Sequence, residues 1–420
     1  MKTVIYWFRN DLRLEDNPAF SQACKDAEHL LPIYIHQPNL EKDTPWGFLR
    51  VSEQRRIFLE QSLQELRAQL SNLGSELFEL TGDQLNVFER LRVQIDVEAI
   101  YFEHIEAPEE LEQVALLRNA GFRVYSIWQS SMLDPQSLPF ALQEMPDIFT
   151  QFRQQVEKQK LRFARPLEAP KSIPPLPSIE MSSVEQNALN HQSQECLFQG
   201  GERAAHTHIR RYFERRLPDT YKQTRNQLMG MDYSSKFSPW LALGCCSART
   251  IAKQLSEYEV RYGANDGSYW LWFELLWRDY FRFLHFKFGK KLYYSRGLSK
   301  NPSNPFDSKQ FIQWSSGKTG EPLIDAGMRE LQRTGYLSNR LRQVVASYWI
   351  YDMKGDWQAG AAWFESQLID YDVYSNQGNW LYIAGKGTDP RGGRPFNVFK
   401  QTQDHDPEGI YRRIWLDSVL

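Results

Sequence analysis

Four short stretches in the second half of this 420-residue chain place reactive side chain types at spacings that could do chemistry. In YWLWFELLWRDYFRFLHFKF (269–288), Glu274, Trp277 and Arg278 stand at i, i+3 and i+4, one stripe of a helix. An acid, an indole and a guanidinium so placed can accept from a base edge, stack on a ring and hold a phosphate. A local Glu–Arg pair on a buried helix is the plainer alternative. The spacing returns in GYLSNRLRQVVASYW, where Asn339, Arg342 and Gln343 precede an apolar run and would face a cavity if buried. Asp370, Asp372 and Asn376 follow in IDYDVYSNQGNW. No His or third carboxylate completes a metal set there, so bonding to a polar ligand edge or to Arg342 is the more economical reading. In YSSKFSPWLALG, Ser234, Ser235, Lys236, Phe237 and Ser238 precede a helix that Pro239 can start, which suits either an anion site or an ordinary Ser cap.

The elements that must hold these residues differ between the two halves. Up to about residue 130, short apolar runs alternate with amphipathic stretches, the pattern of a parallel sheet with helical crossovers. Strands are expected at Thr3–Phe8, Leu30–Ile35, Glu76–Leu80, Ala99–Phe102 and Arg123–Ile127, and helices at Ser52–Leu73 and Pro108–Ala120. No G-x-G-x-x-G follows the first strand, so the usual dinucleotide fingerprint is missing. Residues 158–199 are rich in Pro, Ser, Gln and Asn and read as a connector over the surface. From Gly200 the chain reads as helices. The expected division is an α/β domain at 1–132, a connector at 133–199 and an all-α domain at 200–420.

Charge divides along the same line. Residues 1–200 carry 19 Lys and Arg against 29 Asp and Glu, and residues 201–420 carry 31 against 23. Ten of the 13 Trp also lie in the basic half, a composition that suits either a polyanion surface or a large aromatic core. The four cysteines lack metal-ligand spacing and read as buried thiols. Charge interrupts every apolar run before a membrane span, and Arg9, Asp11 and Arg13 break any signal core. A cytoplasmic protein is expected.

The residues also carry a resemblance. WFRNDLRLEDN, LPF…MPDIFTQFR (138–153), GGERAA, TYKQTRNQLMGMDYSSKFSPWLALGC, YWLWFELLWRDYFRF, GYLSNRLRQVVASYW, WFESQLIDYDVYSNQGNWLYIAG and FNVFKQTQDHDPEGIYRRIW resemble, in order and over the whole length, the photolyase/cryptochrome family, its DASH branch in particular. The resemblance implies an N-terminal α/β antenna domain and a C-terminal helical domain that folds FAD into a U. It implies that Tyr221 and Ser234–Ser238, with Lys236 and Phe237 between them, cradle the phosphates and ribose. Glu274, Arg278, Asn339, Arg342, Asp370 and Asp372 would line the flavin and adenine, with Asn376 beside flavin N5. Trp277, Asn339, Gln343 and Tyr382 would line a lesion cavity in which Glu274 bonds a pyrimidine edge, and Arg225, Lys400 and Gln401 would approach the DNA backbone. Gln343 and Tyr382 replace the Met and Trp of ordinary bacterial photolyases, which is typical of the DASH branch.

The function so implied is light-driven repair of cyclobutane pyrimidine dimers, mainly in single-stranded DNA, by a monomer whose excited reduced flavin donates an electron. A flipped dimer costs less to unstack than normal bases do. A reduced folate (methenyltetrahydrofolate) antenna is a further expectation, and no metal is expected. The rival readings are a blue-light receptor that signals through a partner and a nucleic-acid binder with a structural flavin. One position departs from the family pattern. Trp380 and Trp357 match the first two tryptophans of its electron chain, but the distal position falls on Asn304. Tyr293, Tyr294 and Phe306 are the nearby aromatics in sequence.

Overall fold

Five runs of β-branched, aromatic and aliphatic residues form the strands β1 (Thr3–Phe8), β2 (His29–His36), β3 (Phe78–Thr81), β4 (Val97–Glu103) and β5 (Val124–Ile127) in a computed structural model. It describes residues 2–161, 163–179 and 196–417. All neighbours pair in parallel in the order β3-β2-β1-β4-β5, so crossovers cover both faces of the sheet. β1 is buried at every position, as the central strand of such a sheet must be. Helices Glu53–Asn72 and Pro108–Asn119 lie within a residue of the expected bounds. Two shorter helices, Pro18–Asp26 and Gln84–Gln94, complete the crossovers.

The stretch 133–199 is more than a surface strap. Helix Phe149–Lys158 buries Phe149, Phe152 and Val156, and Phe149 stacks on Trp277 at 3.7 Å between ring centres. Further on, Asp16 and Leu167 exchange two bonds, Asp16 N to Leu167 O (2.9 Å) and Leu167 N to Asp16 Oδ1 (3.1 Å). Part of this connector lies outside the described residues.

From Glu202 onward the described chain is helical. Its axis is Asp266–Phe288, started by an Asn265–Ser268 capping box and buried along much of its length. Backbone groups at the ends of the strands meet the helical domain directly. Leu12 N donates to Leu243 O (3.0 Å), and Leu14 N and Glu15 N both donate to the Glu202 carboxylate (2.9 Å each). Asp279 accepts from Met132 N (3.0 Å) and Leu133 N (2.8 Å). Gly244 sits at φ +65°, and a Cβ there would lie 2.0 Å from Asn10 O, so only glycine permits this approach.

Candidate functional site

Two helices build the inner pocket. Ser338 caps Asn339–Ser347 by accepting from Leu341 N (3.3 Å), which turns Asn339, Arg342 and Gln343 toward the facing helix. That helix, Val373–Ile383, is capped by Asp372, which accepts from Ser375 N (2.8 Å). Between them lies a pocket of about 70 Å³ lined by Asn339, Arg342, Gln343, Asp370, Asp372, Asn376 and Trp380. Seven of the residues singled out from sequence thus meet in one place. Tyr371, Phe364 and Ser375 are also part of the wall, and nothing in their spacing marks them beforehand.

The charges of the pocket are fixed from behind. Arg342 donates to Leu337 O (2.7 Å) and to Asp370 Oδ2 (2.8 Å). Burial pulls its pKa down, but Asp370, Tyr336 and Tyr233 together more than offset that and raise it. Asp370 Oδ1 is buried without a partner, an open acceptor on a residue of the lining. Burial works against the Asp372 carboxylate, yet Arg282 and Arg278 hold its pKa down at about 2. Arg282 bonds it directly. Asn376 Nδ2 donates to Ala361 O (3.0 Å), which leaves its oxygen as the remaining polar atom.

The serine loop joins this pocket through Tyr336. Ser234 and Ser238 bond the Tyr336 phenol, whose ring lies 5.1 Å from the Arg342 guanidinium. Ser235 O meets His208 Nε2 at 2.7 Å. Lys236 has φ +53°, and its ammonium sits over the rings of Tyr233 (3.5 Å) and Tyr336 (4.7 Å). Burial lowers its pKa to about 7. Phe237 packs in the core against Tyr212 (5.0 Å), and Tyr221 is buried nearby.

The stripe on Asp266–Phe288 divides. Glu274 is ion-paired with Arg225, whose guanidinium covers Trp270 at 4.4 Å. Trp277 meets Tyr382 edge to face at 5.5 Å, and Arg394 covers Tyr382 at 4.7 Å. Arg278 turns the other way and bonds Ser130 O and Leu241 O. It lines a separate cavity of about 20 Å³ at the domain seam with Arg13, Glu103, Arg282 and Asp372, and burial lowers its pKa to about 10. Gln343 accepts from Arg340 (3.3 Å), which also reaches Asn226 (3.2 Å). Lys400 is exposed and pairs with Asp404 (3.1 Å), whereas Gln401 is buried with Oε1 unpartnered.

A larger cavity of about 430 Å³ opens between the domains. Tyr34, Trp46, Arg50, Glu109, Trp357 and Tyr371 are among its walls, and Asn376 borders both this cavity and the inner pocket. Its lining comes from many separate segments, so no motif announces it. Among the described residues no cluster of His, Cys, Asp and Glu could hold a metal, and no helix is long and apolar enough to cross a membrane.

A doubly wound α/β domain docked on a helical domain with a polar inner pocket defines a class, and the comparisons agree on it. Residues 4–174 match the DNA photolyase family model, and residues 270–419 match that for the FAD binding domain of DNA photolyase. A relative named cryptochrome DASH from Synechocystis sp. is 44% identical over 99% of this chain and 88% of its own length. One of the same name from Xenopus laevis is 41% identical over 100% of this chain and 83% of its own length. The crystal structure of a Synechocystis cryptochrome superposes with a TM-score of 0.92 at 42% identity, covering 99% of this chain and 89% of that one. A class III photolyase from Agrobacterium tumefaciens gives 0.81 at 26% identity, with 99% and 87% covered. The chain belongs to the photolyase/cryptochrome family, on its cryptochrome DASH branch. Its cofactor is FAD. The residues present fit that group, because Asp370 Oδ1 offers a buried acceptor to an imide N–H in a pocket walled by Trp380 and Arg342.

Proposed function

We propose that the chain is a light-driven lyase for cyclobutane pyrimidine dimers, acting mainly on single-stranded DNA. The observation that carries the proposal is the pairing of an inner polar pocket with an outer aromatic mouth. Asn339, Arg342, Asp370, Asp372 and Asn376 hold the flavin, while Ser234–Ser238 and Tyr221 take the phosphates. Trp277 and Tyr382 form the wall on which flipped pyrimidines stack, and Arg225, Arg340 and Lys400 neutralise the strand that delivers them. Reduced FAD, when bound and excited, supplies the electron that splits the cyclobutane ring and accepts it again. Glu274 bonds the pyrimidine edge and steadies charge that develops there, for which it must leave Arg225. Gln343 offers a second polar contact beside it.

The interdomain cavity is the place for an antenna pigment, and its volume lies in the range of small-molecule sites. A reduced folate is the pigment proposed. An archaeal photolyase from Sulfolobus tokodaii, similar in fold at a TM-score of 0.77 and 26% identity, is described with two FAD molecules, with the implication of a novel light-harvesting cofactor. Trp46→Ala should lose a near-ultraviolet pigment while FAD stays bound, as absorbance of the purified protein would report.

The deciding experiment illuminates the reduced, FAD-loaded protein with dimer-containing single-stranded and duplex oligonucleotides. Loss of dimers from the single strand is expected. No loss from either substrate would instead favour a photoreceptor that works through a partner.

A further inference from the structure

Past the aromatic mouth, the helix that carries Trp277 runs on into a segment without acids. Residues 280–306 contain no Asp or Glu. Arg282 pairs inside with Asp372, and Lys287 pairs with Asp147 (2.6 Å). That leaves Lys290, Lys291, Arg296 and Lys300, all exposed and, among the described residues, outside every ion pair. Two exposed rings accompany them, Tyr294 (51% exposed) and Phe306. The adjoining loop adds Asp352, but also Lys354, which offsets it. Four like charges so close repel one another, and a polyanion relieves that repulsion.

The backbone of this segment is tied down from behind. Gln377 donates to Leu292 O (2.7 Å), Gln358 to Tyr293 O (3.1 Å) and Trp357 Nε1 to Ser295 O (2.7 Å). Lys386, itself buried, spends its ammonium on Asn301 O and Pro302 O (2.7 Å each). Asn304 closes the end with bonds to Ile350 O (3.0 Å) and Gly355 O (3.2 Å). Gly297, at φ +54°, lets Leu298 N reach Lys386 O (2.7 Å), and a Cβ on Gly297 would lie 2.4 Å from that oxygen. The exposed cations therefore stand on a fixed frame, which has little backbone freedom left to lose on binding.

That frame adjoins the mouth. Leu381, the neighbour of Tyr382, packs on Gly297, where a Cβ would lie 2.8 Å from its Cδ2. On the long helix, Phe288 follows Trp277 by three turns, so the two share a face about 16 Å apart, and Lys290 and Lys291 come directly after. The acidic first half of the chain, with 29 Asp and Glu against 19 Lys and Arg in residues 1–200, repels a nucleic acid strand. We propose that Lys290, Lys291, Arg296 and Lys300 bind phosphates of the single strand flanking the dimer, while Tyr294 stacks on one of its bases. The proposal rests on Trp277 and Tyr382 being the lesion wall. It adds a second contact, a few nucleotides away, to the one that Arg225, Arg340 and Lys400 make at the mouth.

The test is binding of the FAD-loaded chain, by fluorescence anisotropy over a range of salt, to dimer-containing oligothymidylates of about four and about sixteen nucleotides. Each phosphate contact on a single strand contributes roughly −0.7 to the slope of log affinity against log salt. The combined variant Lys290→Ala, Lys291→Ala, Arg296→Ala, Lys300→Ala should flatten that slope by roughly 2–3 on the long strand and leave the short one unchanged. Tyr294→Ala should weaken binding of the long strand roughly tenfold with the slope kept, as loss of one stack does. All five side chains are exposed, so FAD absorbance and melting temperature should match the parent. Equal slopes for variant and parent on the long strand overturn the proposal. So does an equal change on both lengths, the mark of a general field and not of a contact. It is overturned as well if polyglutamate binds the parent as steeply as the long strand and Tyr294→Ala alters neither, the behaviour of a dock for an acidic protein. Undamaged long strands should lose the same slope in the variant, so a chain that shows this loss but repairs no dimer would sink the lyase reading alone.

Discussion

Asp370 and Arg342 are the most consequential pair in the pocket, because the Asp370 side chain is fully buried and one of its oxygens already lacks a partner. Removing Arg342 leaves that carboxylate uncompensated, which costs roughly 3–5 kcal/mol for a buried pair broken on one side. Arg342→Ala should therefore purify with little FAD and a lowered melting temperature, as absorbance and thermal denaturation would show. Glu274 predicts the opposite split. It lies on the outer mouth against Arg225 and is not part of the inner lining. Glu274→Ala should keep FAD occupancy while single-turnover repair slows by roughly tenfold or more, about 1.4 kcal/mol of barrier per tenfold. If Glu274→Ala instead loses flavin and Arg342→Ala keeps it, the two roles are assigned the wrong way round.

Helices and strands set these residues in place, and they were legible from sequence to different depths. β1 reads directly because it is central and apolar or aromatic at every position after Thr3, and helix Pro108–Asn119 reads from its starting proline. The stripe at Asn339/Arg342/Gln343 was legible because i+3 and i+4 spacing survives packing, and Asp370 and Asp372 were legible as paired carboxylates shortly before Asn376. Arg278 was not. Spacing puts it beside Glu274, but the carbonyls of Ser130 and Leu241, distant in sequence, draw it into the seam. Nor could sequence show that Phe149, placed in a connector, stacks on Trp277. Both failures are long-range contacts, as is the Gly244 approach to Asn10. Gly244→Ala tests that contact. The added Cβ meets backbone, not a flexible side chain, and φ +65° is strained for alanine. A loss of roughly 2–3 kcal/mol is expected in urea denaturation, of the size that such strain and overpacking cost. A change under 0.5 kcal/mol, the range of ordinary surface substitutions, would mean that the domains do not dock this closely.

The molecule as a whole buries acidic groups at the seam between its halves, and this makes its stability depend on pH. Glu103, at the end of β4, is buried with Oε2 unpartnered. Burial raises its pKa to about 8, with Asp11 adding to the effect while Arg13, Arg282 and Arg9 oppose it. Glu202 binds Leu14 N and Glu15 N across the same seam, and burial raises its pKa to about 7 against those two bonds. A carboxyl with a raised folded pKa holds its proton longer in the folded chain than in the unfolded one. Below the unfolded value near 4.5 both states are protonated and nothing is lost. From there up to about 7 for Glu202 and about 8 for Glu103, the folded state binds more protons, so their contribution to stability falls as pH rises. Glu103→Gln removes one of the two groups and should flatten that slope. The variant should match the parent near pH 5 and exceed it near pH 8, at about 1.4 kcal/mol for each unit by which the pKa is raised, as an upper bound. Thermal melts at both pH values, followed by tryptophan fluorescence and by FAD release, separate loss of docking from global unfolding. Equal differences between variant and parent at pH 5 and pH 8 would show that Glu103 does not titrate in this window, and would place its charge in permanent balance with Arg13 and Arg282.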